Sequence, residues 1–275
     1  MTRRFIGNSF FDWLAQHPGT VDTIVHLGAR TDTTLTDKQV FKILNVDYTK
    51  RLFEWCTEHD IPFIYASSAA TYGNGAHGYR DDESLLPQLE PLNQYARSKQ
   101  EIDLWITDQK KKPPFWAGFK FFNVYGPNES HKGRMASVVY HAYNEILKNG
   151  YVTLFKSHHK DYKDGEQLRD FVYVKDVVRV LIYFLEHQPK SGIFNLGTGK
   201  ADTFLSLVQA LFEAIGHQGK VKFIDTPENI RENYQYFTEA NMEKLRLAGY
   251  TGVFADIREG VADYAVNYLE TAEQF

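Results

Sequence analysis

Two nearby stretches, IPFIYASSAATYG at Ile61–Gly73 and NQYARSK at Asn93–Lys99, decide the fold of this chain. Pro62–Ala66 has the short apolar pattern of a buried strand, and it runs directly into two serines. A serine at the carboxyl end of a parallel strand lies where open α/β sheets bind their ligands. On the helix expected from about Leu92, Tyr95 and Lys99 lie one turn apart on one face. We therefore expect Ser68, Tyr95 and Lys99 to form one site.

The chemistry expected of this site is proton transfer. A lysine ammonium beside a phenol favours the phenolate, so Lys99 should lower the pKa of Tyr95 from about 10 towards the working pH. By itself, the four-residue spacing more often marks a surface helix that carries an aromatic residue and a lysine. The strand and the serines that precede it favour the catalytic interpretation.

Short apolar strands alternate with helices in the first half of the chain, which predicts a parallel sheet of Rossmann type. We predict an α/β fold with an incomplete Rossmann domain over residues 1–127. A smaller α/β substrate lobe should follow over residues 128–275, with some return to the first domain. The predicted elements are Asn8–His17, Val21–Ala29, Lys38–His59 (with Leu44 facing inward), Pro62–Ala66, Ala117–Phe122, Met135–Leu147, Val152–Phe155, Asp170–Val174, Asp176–His187, Gly192–Gly199, Thr203–Ile215, Val221–Asp225, Glu239–Ala248 and Ile257–Leu269.

The N-terminal part lacks the expected phosphate-binding loop. A nicotinamide-binding domain normally opens with a strand, a glycine-rich turn and a helix that holds the pyrophosphate. The first clear strand here, Val21–Leu27, corresponds to the fourth strand of such a domain. We therefore expect an unpaired outer edge on this strand, association of the 275-residue chain through that edge, and weak NADP binding.

Two glycine-rich runs do not replace that loop. GNGAHG, Gly73–Gly78, neither leaves a strand directly nor opens a helix, so it predicts a flexible loop. GTGK, Gly197–Lys200, lacks the spacing of a phosphate-binding loop and predicts a turn.

Composition excludes several classes of protein. A net charge of −4 over 275 residues argues against a nucleic-acid partner. The single cysteine, Cys56, excludes an internal disulfide and a cysteine-based zinc cluster, and it fits a reducing cytoplasm. No stretch has the apolar length of a membrane span. The ten histidines show no metal-ligand spacing, so we predict no metal site.

Basic residues in the second half suggest contacts with an anion. In HKGRMAS, His131–Ser137, Gly133 and the helix expected after it predict an anion-binding turn with Lys132 beside it. Arg169, and the basic cluster around Lys156, could meet a diphosphate. An exposed lysine remains the alternative for Lys132 alone, and a solvated loop face remains the alternative for the cluster.

The chain resembles the extended, sugar-nucleotide branch of the short-chain dehydrogenase/reductase superfamily, and within it the ADP-L-glycero-D-manno-heptose 6-epimerases. HKGRMAS and the YQYFT run after Asn233 are the most specific to the heptose epimerases. The resemblance rests on HLGARTDTT (His26–Thr34), ASSAATYG (Ala66–Gly73), YARSK (Tyr95–Lys99), FFNVYGPNESHKGRMASVVYH (Phe121–His141), RDFVYVKDV (Arg169–Val177), FNLGTG (Phe194–Gly199) and NYQYFTEA (Asn233–Ala240).

This resemblance implies a cytoplasmic homo-oligomer of lipopolysaccharide core biosynthesis that acts on an ADP-sugar. Bound NADP, or NAD, would take a hydride from C6 of the heptose and return it to the opposite face. Tyr95 and Lys132 would be the acid/base groups, and Ser68 would bind the reacting oxygen. The implied cofactor contacts are Gly28, Ala29, Arg30, Thr31, Asn45, Lys99 and Val124. The implied substrate contacts are Asn123, Arg134, His141, Phe155, Lys156, Ser157, Arg169 and Tyr234.

The chain departs from the family pattern at three places in the substrate region. Arg134 stands where a small serine is expected, Lys156 stands where an acid is expected, and the stretch from His158 to Leu168 is longer than usual. Two alternatives stay open at this point. The chain could be a non-catalytic remnant that kept its site residues, or another nucleotide-sugar epimerase or dehydratase.

Overall fold

Strands and helices alternate along most of the chain, and this computed structural model describes residues 9–231 and 234–271 of it. The strands are β1 (Ile24–His26), β2 (Phe63–Ser68), β3 (Trp116–Phe121), β4 (Asn123–Tyr125), β5 (Tyr151–Phe155), β6 (Leu168–Arg169), β7 (Phe171–Tyr173), β8 (Gly192–Leu196), β9 (Asp202–Thr203) and β10 (Lys220–Ile224). The α-helices are α1 (Ser9–Gln16), α2 (Lys38–Phe41), α3 (Tyr48–Glu58), α4 (Gln94–Asp108), α5 (Val138–Asn149), α6 (Val174–His187), α7 (Phe204–Ala214), α8 (Glu228–Arg231), α9 (Glu243–Leu247) and α10 (Ile257–Tyr264). Short 3₁₀ segments lie at Ala69–Tyr72, Glu83–Gln88 and Ser130–Met135, and π turns lie at Lys42–Asp47 and Ala265–Leu269. Of the predicted residues, Asn8 and Asn233 lie outside the described ranges.

A parallel sheet in the order β1-β2-β3-β8 confirms the predicted Rossmann-type α/β fold. All six residues of β2 are buried, as expected for a strand that is covered on both faces of the sheet. The strand extends beyond the predicted end at Ala66 and includes both serines. Ser68 therefore lies at the carboxyl edge of the sheet, opposite Phe121 of β3.

The first strand is shorter and less buried than predicted. β1 covers only three of the nine residues in Val21–Ala29, and it is the edge strand of the sheet among the described residues. Ile24 is buried, but Val25 is 38% exposed and Leu27 beyond the strand is 46% exposed. The exposure of these two apolar side chains agrees with the expected unpaired outer edge, because few of the described residues pack against this end of the sheet.

A π turn interrupts the long helix predicted over Lys38–His59. α2, the turn Lys42–Asp47 and α3 follow one another without a break. A π turn holds more residues than an α-helical turn, so it rotates the buried face of the helix after it. Leu44, predicted to face inward, is therefore 51% exposed, while Asn45 and Val46 are buried.

The second half of the chain builds a separate hydrophobic core around α5, α7 and α10. The parallel pair of β5 with β10 and the antiparallel pair of β6 with β9 lie in this half, and β7 pairs in parallel with β4 from the end of the first half. β8 returns to the first sheet, where it pairs with β3. The strand predicted over Asp170–Val174 is shorter, as β7 covers Phe171–Tyr173. Asp170 separates it from β6, and the buried Asp170 carboxylate accepts hydrogen bonds from the backbone amides of Thr198, Gly199 and Ala240.

Two helices begin later than predicted. α5 starts at Val138 rather than Met135, because Ser137 caps it by accepting a hydrogen bond from the Tyr140 amide. α9 covers Glu243–Leu247 rather than Glu239–Ala248, since Ala240 is bound to Asp170. No helix in residues 9–231 and 234–271 combines the length and the apolar character of a membrane span.

Gly118 in the middle of β3 permits the close approach of Tyr65 from β2. A Cβ atom at Gly118 would lie 2.4 Å from the Tyr65 ring, which is fully buried and hydrogen-bonded to Asp103. We predict that Gly118→Ala lowers the free energy of unfolding by about 1–3 kcal/mol through overpacking. Urea unfolding measures this, with Gly28→Ala as the matched control, because the space around Gly28 is open. Equal stability of the two variants would contradict the prediction.

Candidate active site

Ser68, Tyr95 and Lys99 come together where β2 meets α4. Asn93 starts α4 by accepting a hydrogen bond from the Ala96 amide at 2.9 Å, so Tyr95 and Lys99 face the end of β2. The Ser68 and Tyr95 side chains share a hydrogen bond. The buried Lys99 Nζ donates to the Ala66 carbonyl oxygen at 2.7 Å. Two elements thus supply the three residues: β2 supplies Ser68, and α4 supplies Tyr95 and Lys99.

The electrostatics of this site differ from those predicted. Burial raises the pKa of Tyr95, the hydrogen bond from Ser68 lowers it, and the negative charge of Asp103 raises it further. Burial also lowers the pKa of Lys99, to about 8. The prediction that Lys99 lowers the pKa of Tyr95 is wrong for this structure, since burial is the largest influence. Tyr95 is therefore a neutral phenol, which can donate a proton, at neutral pH.

Asn45 connects the loop after β1 to the catalytic helix. Its Oδ1 accepts from the Arg30 amide at 2.8 Å, and its Nδ2 donates to the Arg30 carbonyl oxygen and to Ser98 Oγ. Ser98 in turn donates to the Tyr95 carbonyl oxygen at 2.7 Å. Both amide hydrogens of Asn45 are thus used within the protein, so its side chain orients the loop Gly28–Thr31.

The residues around Lys99 fit the ribose of a nicotinamide cofactor. A lysine ammonium has three N–H donors, and within the described residues Lys99 uses one of them, on Ala66. The two others suit the paired hydroxyls of a ribose. Gly28 and Thr31, in the adjacent loop, are exposed, and Ala29 and Val124 are partly exposed. The predicted cofactor contacts therefore lie in the loop after β1 (Gly28–Thr31), in the π turn (Asn45), on α4 (Lys99) and in β4 (Val124).

The segment Ser130–Met135 carries Lys132 and Arg134 on an exposed surface. The buried Glu129 carboxylate accepts hydrogen bonds from the amide and the hydroxyl of Ser137, each at 2.6 Å. A protein carboxylate thus binds the Ser137 cap at the amino end of α5, next to the turn predicted to bind an anion. Within the described residues, the exposed Lys132 side chain makes no hydrogen bond or ion pair.

Arg134 contacts the loop after β1 instead of an open cleft. Its guanidinium lies 2.7 Å from a carboxylate oxygen of Asp32 and also donates to Thr34 Oγ1. These hydrogen bonds hold the pKa of the Asp32 carboxyl well below its usual range. The unusual arginine therefore joins the segment of Lys132 to the predicted cofactor loop.

Arg169 is a buried cation that faces aromatic rings. It donates to the carbonyl oxygens of Leu168 and Gln235 and lies 5.5 Å from the ring centres of Phe204 and Tyr234. No carboxylate among the described residues lies within ion-pair distance of it. The Tyr234 ring also contacts Phe155 and lines a cleft of about 460 Å³, together with Tyr79, Leu92, Tyr162 and Tyr236.

The remaining predicted substrate residues are not gathered at one point. Asn123 and His141 are exposed on β4 and α5. Lys156 lies 3.5 Å from Asp225, and the Ser157 amide donates to Asp164 at 2.8 Å. A larger cavity of about 610 Å³, which Lys244 lines, lies at the amino end of β8. Since Ser68 lies at the carboxyl edge of the same parallel sheet, that cavity is remote from the site.

Sequence analysis missed the ion pair of Asp103 and Lys120. Their side chains are fully buried and 2.6 Å apart. A lysine inside the apolar run WAGFKFF, and an aspartate one turn after Lys99 on α4, are the signals that could have revealed it.

The architecture and the site match a known family. Residues 8–197 match the family model described as the NAD dependent epimerase/dehydratase family. The chain belongs to this family. It is 49% identical to the ADP-L-glycero-D-manno-heptose-6-epimerase of Fusobacterium nucleatum, over 96% of this chain and 82% of that protein.

Solved structures agree with this assignment. The crystal structure of the Helicobacter pylori ADP-L-glycero-D-manno-heptose-6-epimerase is 31% identical, with a TM-score of 0.75, and the match covers 90% of this chain and 72% of that one. The Thermus thermophilus UDP-glucose 4-epimerase, solved with NAD, is 25% identical with a TM-score of 0.73, over 93% of this chain and 80% of that one. The predicted resemblance to the heptose epimerases is confirmed, and the chain is an isomerase that uses a nicotinamide cofactor. The relatives support neither the remnant nor the other alternative.

His26, at the end of β1, makes the stability of this site depend on pH. Burial and the nearby charge of Lys99 lower its pKa from 6.5 to about 4, and its Nε2 lies 3.0 Å from Thr49 Oγ1. Between these pH values the unfolded chain binds a proton at His26 that the folded chain does not. The free energy of unfolding therefore falls as the pH decreases from 6.5 towards 4.

We predict that His26→Gln removes up to about 3 kcal/mol of this pH dependence. Urea unfolding at a series of pH values measures it, and His187→Gln, which removes an exposed imidazole at the end of α6, is the control. If His26→Gln keeps the acid dependence of the unmodified chain, the prediction is wrong.

Proposed function

We propose that this chain converts ADP-D-glycero-D-manno-heptose into ADP-L-glycero-D-manno-heptose by epimerisation at C6. The observation that carries the proposal is the assembly of Ser68, Tyr95 and Lys99 at the end of β2. It occurs in a chain that is 49% identical to a protein named ADP-L-glycero-D-manno-heptose-6-epimerase. The HKGRMAS run at His131–Ser137, typical of heptose epimerases, supports the same substrate.

The cofactor would be NADP, held through its ribose by Lys99 and through the loop Gly28, Ala29, Arg30 and Thr31, with Val124 beside it. When bound, the nicotinamide takes a hydride from C6 and returns it to the opposite face. Asn45 orients the loop through Arg30. The choice of NADP over NAD follows from the resemblance to the heptose epimerases.

The protein residues supply the protons that this redox cycle requires. Oxidation at C6 needs a base for the hydroxyl proton, and reduction of the aldehyde needs an acid that returns it. Tyr95, a neutral phenol bound to Ser68, is suited to donate its proton to the aldehyde oxygen, and Ser68 binds that oxygen. Lys132, exposed and free of protein partners within the described ranges, serves the other face after a movement towards the substrate.

Arg169 binds the diphosphate of the ADP-sugar. A buried cation with no carboxylate partner among the described residues is costly unless an anion compensates it, and a diphosphate supplies that anion. Its place beside the aromatic cleft supports a nucleotide there. We propose that Asn123, Arg134, His141, Phe155, Lys156, Ser157 and Tyr234 make the other contacts to the ADP-sugar.

We also propose that residues 1–127 mainly hold the cofactor and residues 128–275 mainly hold the substrate. The second hydrophobic core, which is built almost entirely from residues after 128, supports a substrate lobe, while α6 and β8 return to the first core. The exposed Val25 and Leu27 at the edge of the sheet support self-association of the chain. The single buried thiol of Cys56 is consistent with a cytoplasmic location.

The substrate is tested by comparing turnover on ADP-heptose and UDP-galactose. We expect a strong preference for ADP-heptose in kcat/KM, because Arg169 and its cleft receive the nucleotide and Lys132 acts at C6. A clear preference for UDP-galactose would assign the chain to another branch of the family.

The acid/base roles are tested by Tyr95→Phe and Lys132→Met. We expect each variant to lose roughly 10²–10⁴-fold in kcat while it still binds the ADP-sugar, because the lost groups transfer protons in the transition state. Lys148→Met, which removes an exposed lysine from the last turn of α5, should leave kcat unchanged. Near-normal epimerisation by either test variant removes that residue from the mechanism.

A further inference from the structure

The buried ion pair of Asp103 and Lys120 is the centre of a hydrogen-bond network below the site. Asp103 accepts from Tyr65 OH at 2.9 Å, from Ser67 Oγ at 2.7 Å and from Lys120 Nζ at 2.6 Å. Lys120 Nζ also donates to Thr71 Oγ1 at 2.7 Å. Neither charged side chain is accessible to water.

This network holds the chain on both sides of Ser68. Asp103 binds the side chain of Ser67, the residue before it. Lys120 binds Thr71, whose hydroxyl donates to the Ser68 carbonyl oxygen at 2.8 Å. Asp103 lies one turn after Lys99 on α4, so the same carboxylate also fixes the helix that carries Tyr95 and Lys99. The ion pair of Asp103 and Lys120 therefore holds Ser68, Tyr95 and Lys99 in position relative to each other.

We propose that Asp103 and Lys120 are positioning residues for catalysis, which set the placement and the charge balance of Ser68, Tyr95 and Lys99. The inference rests on the proposed function of these three residues. A buried ion pair often stabilises a fold no better than apolar side chains of the same volume. A gain in stability therefore does not explain why a buried ion pair is present here. Its contacts to Ser67 and Thr71, which hold the chain around Ser68, do explain it.

The two charges act on Lys99 in opposite directions. Asp103 raises the pKa of Lys99, against the effect of burial. Lys120, which neutralises Asp103 at 2.6 Å, limits that effect. Removal of Asp103 alone should thus lower the pKa of Lys99, and removal of Lys120 alone should raise it.

The other charged side chains near α4 do not explain opposite shifts of the Lys99 pKa in the two single variants. Lys42 pairs with Asp47, and Lys50 pairs with Glu101, on exposed surfaces. Other titratable groups around the pair include His26, Tyr65, Tyr72, Glu83 and Asp81, a buried carboxylate that accepts a hydrogen bond from the Asn195 amide at 2.8 Å. Low or high pKa values keep His26, Tyr65 and Tyr72 uncharged near neutral pH, and Glu83 is paired with Lys244.

The test compares Asp103→Asn, Lys120→Met and the double variant in the full chain. The titration of Lys99 is followed by NMR of its Cε carbon in protein labelled with ¹³C-lysine, and the signal is assigned with Lys99→Met. We expect the midpoint to decrease by roughly one pH unit in Asp103→Asn and to increase by a similar amount in Lys120→Met. The double variant should return it to near its starting value.

Turnover gives the second measurement. We expect kcat to fall roughly 10- to 100-fold in the single and double variants with little change in KM, because small displacements of reacting groups slow the chemical step. Asp176→Asn, which removes a buried carboxylate bound to Ala255 in the other half, is the control for loss of stability alone. It should change neither the Lys99 midpoint nor kcat.

Shifts of the Lys99 midpoint in the same direction in both single variants, or no shift, would overturn the proposal. If Asp103→Asn does not fold, the Lys99 midpoint in Lys120→Met is compared with that in the double variant, which also isolates the effect of Asp103. The titration needs no ADP-sugar, so a chain inactive on ADP-heptose that still shows the opposite shifts would refute the proposed function and leave the pairing intact.

Discussion

The packing of α4 against the carboxyl half of β2 is the contact on which the rest of the structure depends. β2 is buried along its whole length, so its polar end must find partners inside the protein. Asp103 and Lys99 of α4 provide them, through Ser67 and the Ala66 carbonyl oxygen. Once these bonds form, Tyr95 has only one place to lie, beside Ser68. The meeting of Ser68 with Tyr95 and Lys99 is a consequence of satisfying the polar groups of a buried strand end.

A second constraint is the carboxylate of Asp170, which joins the two halves of the chain. It accepts hydrogen bonds from the turn after β8, through Thr198 and Gly199, and from Ala240. Because the carboxylate has no exposure to water, these bonds are not exchanged for solvent. The neighbouring Arg169 lies 5.5 Å from the ring centre of Tyr234, which lines the aromatic cleft. The hydrogen bonds of Asp170 thus join the segment that carries Arg169 to the turn after β8.

The π turn before α3 has a comparable role on the cofactor side. It turns Asn45 inward, and the side chain then connects the loop after β1 to Ser98 on α4. A regular α-helix over the same residues would place Leu44 closer to that position. The π turn therefore couples the loop after β1 to α4. π turns inside helices are frequently found at functional sites.

The sequence by itself determined the fold class, the parallel order of the sheet, and the meeting of Ser68 with Tyr95 and Lys99. These features follow from local periodicity and from the rule that parallel strands end at one edge. The pairing of Asp103 with Lys120, the hydrogen bonds of Glu129 to the Ser137 cap of α5 and the raised pKa of Tyr95 could be seen only in the folded structure. The reason is that burial and long-range hydrogen bonds set them, and a pattern of neighbouring residues contains no information about which distant group removes water from a side chain.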